Sequence, residues 1–130
     1  MKGSDYVLFL DDERHPPEGR DVFGWEVVHV RNLREFALAI RARGAPAMVC
    51  FDWYLGSGEP TGLDAVEWLV DHDLRHDVVR ENLLFDSQSS DRDKARAIVR
   101  RLAEHIAAKF GNLDAEDVAR AGRRGVPRKR

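Results

Sequence analysis

The chain has 130 residues, 43% hydrophobic and 34% charged, which suits one domain with its own core and excludes a fibrous or disulfide-rich class. The net charge of −2 conceals an asymmetry: all 23 acidic residues precede Ala119, against 15 Lys and Arg, whereas the six basic residues from Arg120 onward meet no acid. So acidic a body does not suit a general duplex-binding surface, while the basic tail can contact polyanions weakly through its charge. The single Cys50 excludes an internal disulfide and, inside an apolar run, reads as a small buried hydrophobe. No apolar stretch approaches the ~20 residues of a membrane helix, and the run after Asp5 is too short for a signal peptide. A cytoplasmic location is expected.

In chain order, Tyr6–Asp11 predicts a first strand whose carboxyl end breaks into acid, Leu10-Asp-Asp-Glu13. Pro16, Pro17, Gly19 and Gly24 make the following stretch a loop or one helical turn, too broken for a full crossover helix. A second strand is predicted at Glu26–Val30. Asn32 then caps a helix, with Glu35 at the capping-box position, Leu33, Phe36, Ala37 and Ile40 as its buried stripe, and Gly44 as its stop. The third strand, Ala47–Phe51, runs into Asp52 and reads as the buried centre of a parallel sheet. A loop with Gly56, Ser57, Gly58 and Pro60 follows. Thr61 caps the next helix, Asp64 holds its capping-box position, and Leu63, Val66, Leu69 and Val70 form its apolar face. From Asp71 to Arg80 the chain is polar and weakly patterned. A fourth strand is predicted at Asn82–Phe85. The longest helix starts at Ser90 or Asp91, repeats Ala95, Ile98, Val99, Leu102, Ile106 and Phe110 at helical spacing, and stops at Gly111. A short helix near Ala115–Ala121 closes the domain, so residues 1–121 are the folded unit and residues 122–130 a basic, disordered tail. There is no internal repeat.

Right-handed crossovers allow the strands to be ordered two-one-three-four, an α/β fold with a mainly parallel four-stranded sheet. Strands one and three are then central, and Asp11, Asp12 and Asp52 meet at the carboxyl edge, where open α/β sheets bind ligands. Crowded carboxylates repel one another unless one is protonated or a cation joins them. Oxygen donors of this kind suit magnesium, manganese or calcium. Such an ion could orient a phosphate, with Arg14 as a bidentate contact and Ser87, after strand four, as a hydroxyl donor. The competing structural reading is that Asp11 and Asp12 end a strand and pair with Arg14. Asp52 could itself be a nucleophile for a phosphoryl group, or the metal could activate water or a substrate hydroxyl; spacing leaves both open.

Other residues carry weaker signals. His72 and His76 are four apart but lack a third metal ligand, and His15, beside Arg14, is a candidate acid or base. Trp53 and Tyr54 either stack on a base at the pocket rim or pack structurally. Gly56-Ser-Gly58 could wrap a phosphate but lacks the ending of a P-loop.

Leu10-Asp-Asp-Glu13, Phe51-Asp52 and Phe85-Asp-Ser87 resemble the acidic and hydroxyl corners of a response-regulator receiver domain, a flavodoxin-like three-layer fold. The receiver lysine after a fifth strand has no match, since Lys94 and Lys109 fall within the long helix. The closer resemblance is to the shortened cyclic-phosphate processing receiver domains, over about residues 7 to 105. It rests on Leu10-Asp-Asp-Glu-Arg14 with its prolines, Phe51-Asp52 through Leu55-Gly56, Thr61-Gly62, Trp68 and the Ser87 region. Asp52-Trp-Tyr-Leu-Gly56 stands for the family's usual Asp-His-Asp-Leu-Gly, and Asp86-Ser-Gln-Ser89 for its His-Ser-x-Asn, so both family histidines are replaced. The resemblance implies Mg2+- or Mn2+-dependent processing of a phosphate ester or cyclic phosphate on a nucleotide or RNA end. Metal would be held by Asp11, Asp12 and Asp52, phosphate by Arg14 and Ser87, with Asp52 and His15 as the catalytic pair. The alternatives are a degenerate or phospho-accepting receiver acting as a regulatory module, and an accessory protein that binds a protein partner without chemistry.

Overall fold

A computed structural model describes residues 5–14, 24–111 and 113–124. The elements are β1 (Tyr6–Leu10), β2 (Glu26–Val30), α1 (Leu33–Arg43), β3 (Met48–Phe51), α2 (Gly62–His76), β4 (Leu84–Ser87), α3 (Arg92–Phe110) and α4 (Ala115–Arg124). All strand pairings are parallel and the order is β2-β1-β3-β4, the predicted α/β receiver-like layered architecture. Register sets the two faces of the sheet. Leu8 lies beside Val28 and Val49, and Val49 beside Phe85. With a side-chain period of two, Leu8, Leu10, Val49, Phe51 and Phe85 therefore share one face. They are buried together with Phe36 and Ile40 of α1, Leu69 of α2, and Ile98, Leu102 and Ile106 of α3. A smaller cluster on the opposite face joins Val7 and Met48 to Trp25, Val27, Cys50 and Leu84.

Asn32 and Thr61 cap as their residue types predict, but of the two predicted capping boxes only that of Thr61 closes. The Asn32 side chain accepts the Glu35 N–H, and Thr61 and Asp64 complete a reciprocal capping box. Glu35 reaches the Arg31 N–H, one residue before the cap. Boundaries moved elsewhere. β4 runs Leu84–Ser87 instead of Asn82–Phe85, because Leu83 closes a turn onto the Arg80 carbonyl and pairing begins only at Leu84, opposite Met48. α2 continues to His76 through the stretch read as unpatterned. α4 reaches Arg124, so Gly122, Arg123 and Arg124 are helical and not part of a tail. Residues 125–130, the rest of the predicted tail, lie outside the described residues. Among the described residues no helix is long and apolar enough to cross a membrane.

What orders the end of α2 is a buried carboxylate. Asp73 is 3% exposed. Its Oδ1 accepts the Val78 and Val79 N–H groups, each at 2.7 Å, and the Lys109 ammonium at 2.9 Å, while Oδ2 takes His105 Nε2 at 2.6 Å. Burial pushes its pKa up, but the Val79 N–H, His105, Lys109 and the Val78 N–H together outweigh that and hold it below the ordinary carboxylate value. Lys109 is thereby committed to Asp73 and Asp77 at the far end of α3 from its Asp91 cap. Because the folded pKa is depressed, this contribution to stability is complete above the unfolded carboxylate pKa and is lost as pH falls through the folded one. Asp73→Asn is expected to cost about 2 kcal/mol at neutral pH and to flatten the acid limb of a plot of urea midpoint against pH. An unaltered acid limb would show that the network is not what titrates.

Candidate metal centre

Asp11 follows the last residue of β1 and Asp52 the last residue of β3, so parallel pairing of these strands brings both to one edge. The ladder extends past the strand ends: the Asp52 N–H donates to the Leu10 carbonyl at 2.9 Å, and the Asp11 N–H to the Val30 carbonyl at 3.0 Å. Carboxylate oxygens of Asp11, Asp12 and Asp52 all lie within 4.8 Å of one another. Asp11 is buried, at 1% exposure, and the other two are half-buried. Three hard anionic oxygen donors at this separation form a donor set that a divalent cation fits.

The electrostatics agree. Burial raises the Asp52 pKa, as do the charges of Asp11 and Asp12, against the lowering effect of the Trp53 N–H at 2.9 Å and of Arg14 at 4.0 Å. Asp11 is saturated with donors. Its Oδ1 accepts the Glu13 and Arg14 N–H groups at 3.0 and 2.8 Å, and its Oδ2 accepts Arg14 Nη1 at 3.1 Å and Gln88 Nε2 at 3.3 Å. The ion pair of Asp11 with Arg14, one element of the structural reading, is therefore present. Arg14 Nη1 also donates to the Gln88 carbonyl at 2.8 Å, which ties the loop after β1 to the residue after β4.

The remaining predicted residues fall as follows. Ser87 ends β4 beside Phe51, but its hydroxyl donates to the Phe51 carbonyl at 2.7 Å and accepts the Ser89 N–H at 3.2 Å. It braces the strand end next to Asp52. His15 lies outside the described residues. Trp53 packs against the main core, with the Lys94 ammonium 5.6 Å from its ring, while Tyr54 is 60% exposed. Sequence reading missed Gln88, whose amide spans the Leu10 carbonyl and Asp11. It also missed two residues that bind backbone at the acidic pair: His29 Nε2 at 2.7 Å from the Asp11 carbonyl and Arg31 Nη1 at 3.0 Å from that of Asp12. For His29 and Arg31 the available signal was position, since they flank the predicted end of strand two; Gln88 lies three residues past the predicted end of strand four and carried none.

Gly62, the first residue of α2, packs directly against the Asp52 peptide. Its N–H donates to the Trp53 carbonyl at 2.8 Å. A Cβ there would lie 1.8 Å from the Asp52 carbonyl oxygen.

Comparison with known proteins adds the family. Residues 6–105 match the model described as the cyclic-phosphate processing receiver domain, and the chain belongs to that family. No curated protein matches the sequence. Among solved structures, the chain is similar to the crystal structure of the phosphorylated cyanobacterial phytochrome response regulator RcpA. That match has 12% identity and a TM-score of 0.46, over 92% of this chain and 90% of the other.

Proposed function

Starting from membership of the cyclic-phosphate processing receiver family, we propose that this chain processes a cyclic phosphate or phosphate ester on a nucleotide or RNA end, with Mg2+ or Mn2+ as cofactor. The observation that carries the reading is the meeting of the Asp11, Asp12 and Asp52 carboxylates within 4.8 Å at the carboxyl edge of the sheet. A divalent ion held by these residues would supply Lewis-acid charge to the phosphate oxygens. Asp11 and Gln88 hold Arg14 at the rim of the pocket, where its guanidinium can bind phosphate oxygens in bidentate fashion. Ser87 contributes its position at the pocket wall, and its hydroxyl must leave the Phe51 carbonyl to meet the substrate. With Trp53 and Asp86 in place of the family histidines, and Asp86 in an ion pair with Arg123, proton transfer falls to His15 and Asp52.

A second reading, a regulatory or protein-binding module without turnover, is favoured by one observation: Arg14 already counters the acidic pocket, as it would in a site that needs no metal. Titration with magnesium and manganese, followed by tryptophan fluorescence and checked calorimetrically, separates the two. Saturable binding is expected, weakened about tenfold by Asp52→Asn, a loss of about 1.4 kcal/mol, with turnover of nucleoside cyclic phosphates abolished by chelation. The same substitution should stabilise the metal-free fold at neutral pH. The raised Asp52 pKa means that ionisation opposes folding above it, and an amide removes that opposition. Absence of binding by both readouts would sink the enzyme reading and leave the module.

A further inference from the structure

α3 and α4 enclose an open groove of about 890 Å³ whose head is formed by Asp86, Ser87 and Ser89, at the carboxyl end of β4 beside the acidic centre. Five arginines line it: Arg92, Arg96 and Arg100 from α3, Arg120 and Arg123 from α4. The three on α3 recur every fourth residue, so they form one row with a rise of about 6 Å per step. The carboxylates in the groove are placed unevenly. Asp86 is paired with Arg123 at 3.2 Å, while Glu104 lies beyond the arginine row on α3 and Glu116 at the start of α4. The end nearest the acidic centre is thus the cationic one. Arg96 pairs with Asp93 and Arg120 with Asp117, both on exposed surface, where such pairs are weak and exchangeable. Among the described residues Arg92 and Arg100 form no ion pair. The floor is made of small apolar residues, Ala95, Val99, Ala115 and Ala119, and no described aromatic lines the groove.

A row of guanidinium groups over a smooth floor binds a repeating anion by charge and bidentate hydrogen bonds, and without aromatic platforms it does so independently of base sequence. From this we infer that the α3–α4 groove binds the phosphate backbone of a single nucleic-acid strand and leads its end to the acidic centre, so that an oligonucleotide end is a better substrate than a free mononucleotide. The inference rests on the phosphate chemistry proposed above and names its substrate class. It fits the acidic body of the chain, because five arginines line this one groove although acidic residues outnumber basic ones before Ala119.

The test is fluorescence anisotropy with a labelled single-stranded RNA of about a dozen nucleotides, across a salt series, on the full chain. Arg96→Glu with Arg100→Glu should weaken binding at least tenfold and make the slope of log K against log salt shallower by about 1.4, from about 0.7 per lost phosphate contact. Both positions are exposed, and the paired Gln substitutions, with fold checked by circular dichroism, should give the same change of slope. Equal binding by wild type and both variants would overturn the inference. So would displacement of the RNA by poly-glutamate of equal charge at equal concentration, which would mark a surface for acidic peptides. Turnover of a mononucleoside cyclic phosphate should be unchanged in the groove variants. If the wild type turns over neither that mononucleotide nor an RNA ending in a cyclic phosphate, but binds RNA through the groove, the catalytic reading falls and the groove assignment stands. If turnover is present and RNA binding ignores the groove, the groove assignment alone falls.

Discussion

Gly62→Ala is expected to lower stability by about 3 kcal/mol, the upper range for overpacking a filled site, and to disturb metal binding along with it. The cause is a backbone collision. An alanine Cβ would lie 1.8 Å from the carbonyl oxygen of Asp52, 2.9 Å from its carbonyl carbon and 3.2 Å from Ile98 Cδ1. Main-chain atoms cannot swing aside as a flexible side chain can. Relief requires α2 to back away from the loop after β3, which breaks the hydrogen bond from Gly62 to the Trp53 carbonyl and shifts the peptide that carries Asp52. Gly58→Ala is the control: its φ of +79° disfavours a side chain but nothing lies within 4 Å, so about 1 kcal/mol is expected. Urea midpoints decide the matter. Similar small losses for both variants would remove the close approach as the reason for a glycine at position 62.

Asp11→Asn is expected to abolish turnover, weaken divalent-ion binding about 100-fold and cost about 2–3 kcal/mol of stability. Donors surround this carboxylate on both oxygens: the Glu13 and Arg14 N–H groups on one, Arg14 Nη1 and Gln88 Nε2 on the other. An amide placed there turns its own N–H groups toward donors in either orientation. The loop after β1 and the tie from Arg14 to Gln88 would loosen together. Asp52→Asn removes a ligand without such a conflict, so the two substitutions should part company in stability while both weaken metal binding. Equal stability for Asp11→Asn and wild type would show that the donor shell is incidental.

The carboxylates were legible because each ends an apolar run that reads as a parallel strand, and backbone pairing then fixes where the ends meet. Asn32 and Thr61 were legible because a cap is a local event. The end of β4 was not: Asp86 and Ser87 are polar, yet their backbone still pairs with Cys50 and Phe51, and a ladder does not depend on apolar side chains. Gln88 was hidden for another reason. Its partners, the Leu10 carbonyl and the Asp11 carboxylate, are distant in the chain and become neighbours only in the sheet. The arginines of α3 recur every fourth residue, but they become one wall of a groove only once α4 is laid alongside.

The Arg14 guanidinium, 3.1 Å from Asp11 and 4.0 Å from Asp52, has one more consequence. It is a cation on a tether of three residues, and a short tether holds its group at an effective concentration on the millimolar scale. Any ion entering the pocket therefore competes with a rival that never diffuses away. A monovalent ion offers no more charge than the rival and binds oxygen donors weakly, so it gains little by exchange. A small divalent ion brings twice the charge to the same three carboxylates and can win. On the metal-dependent reading, the arginine sets a threshold of charge density for entry that precedes the arrival of any ion.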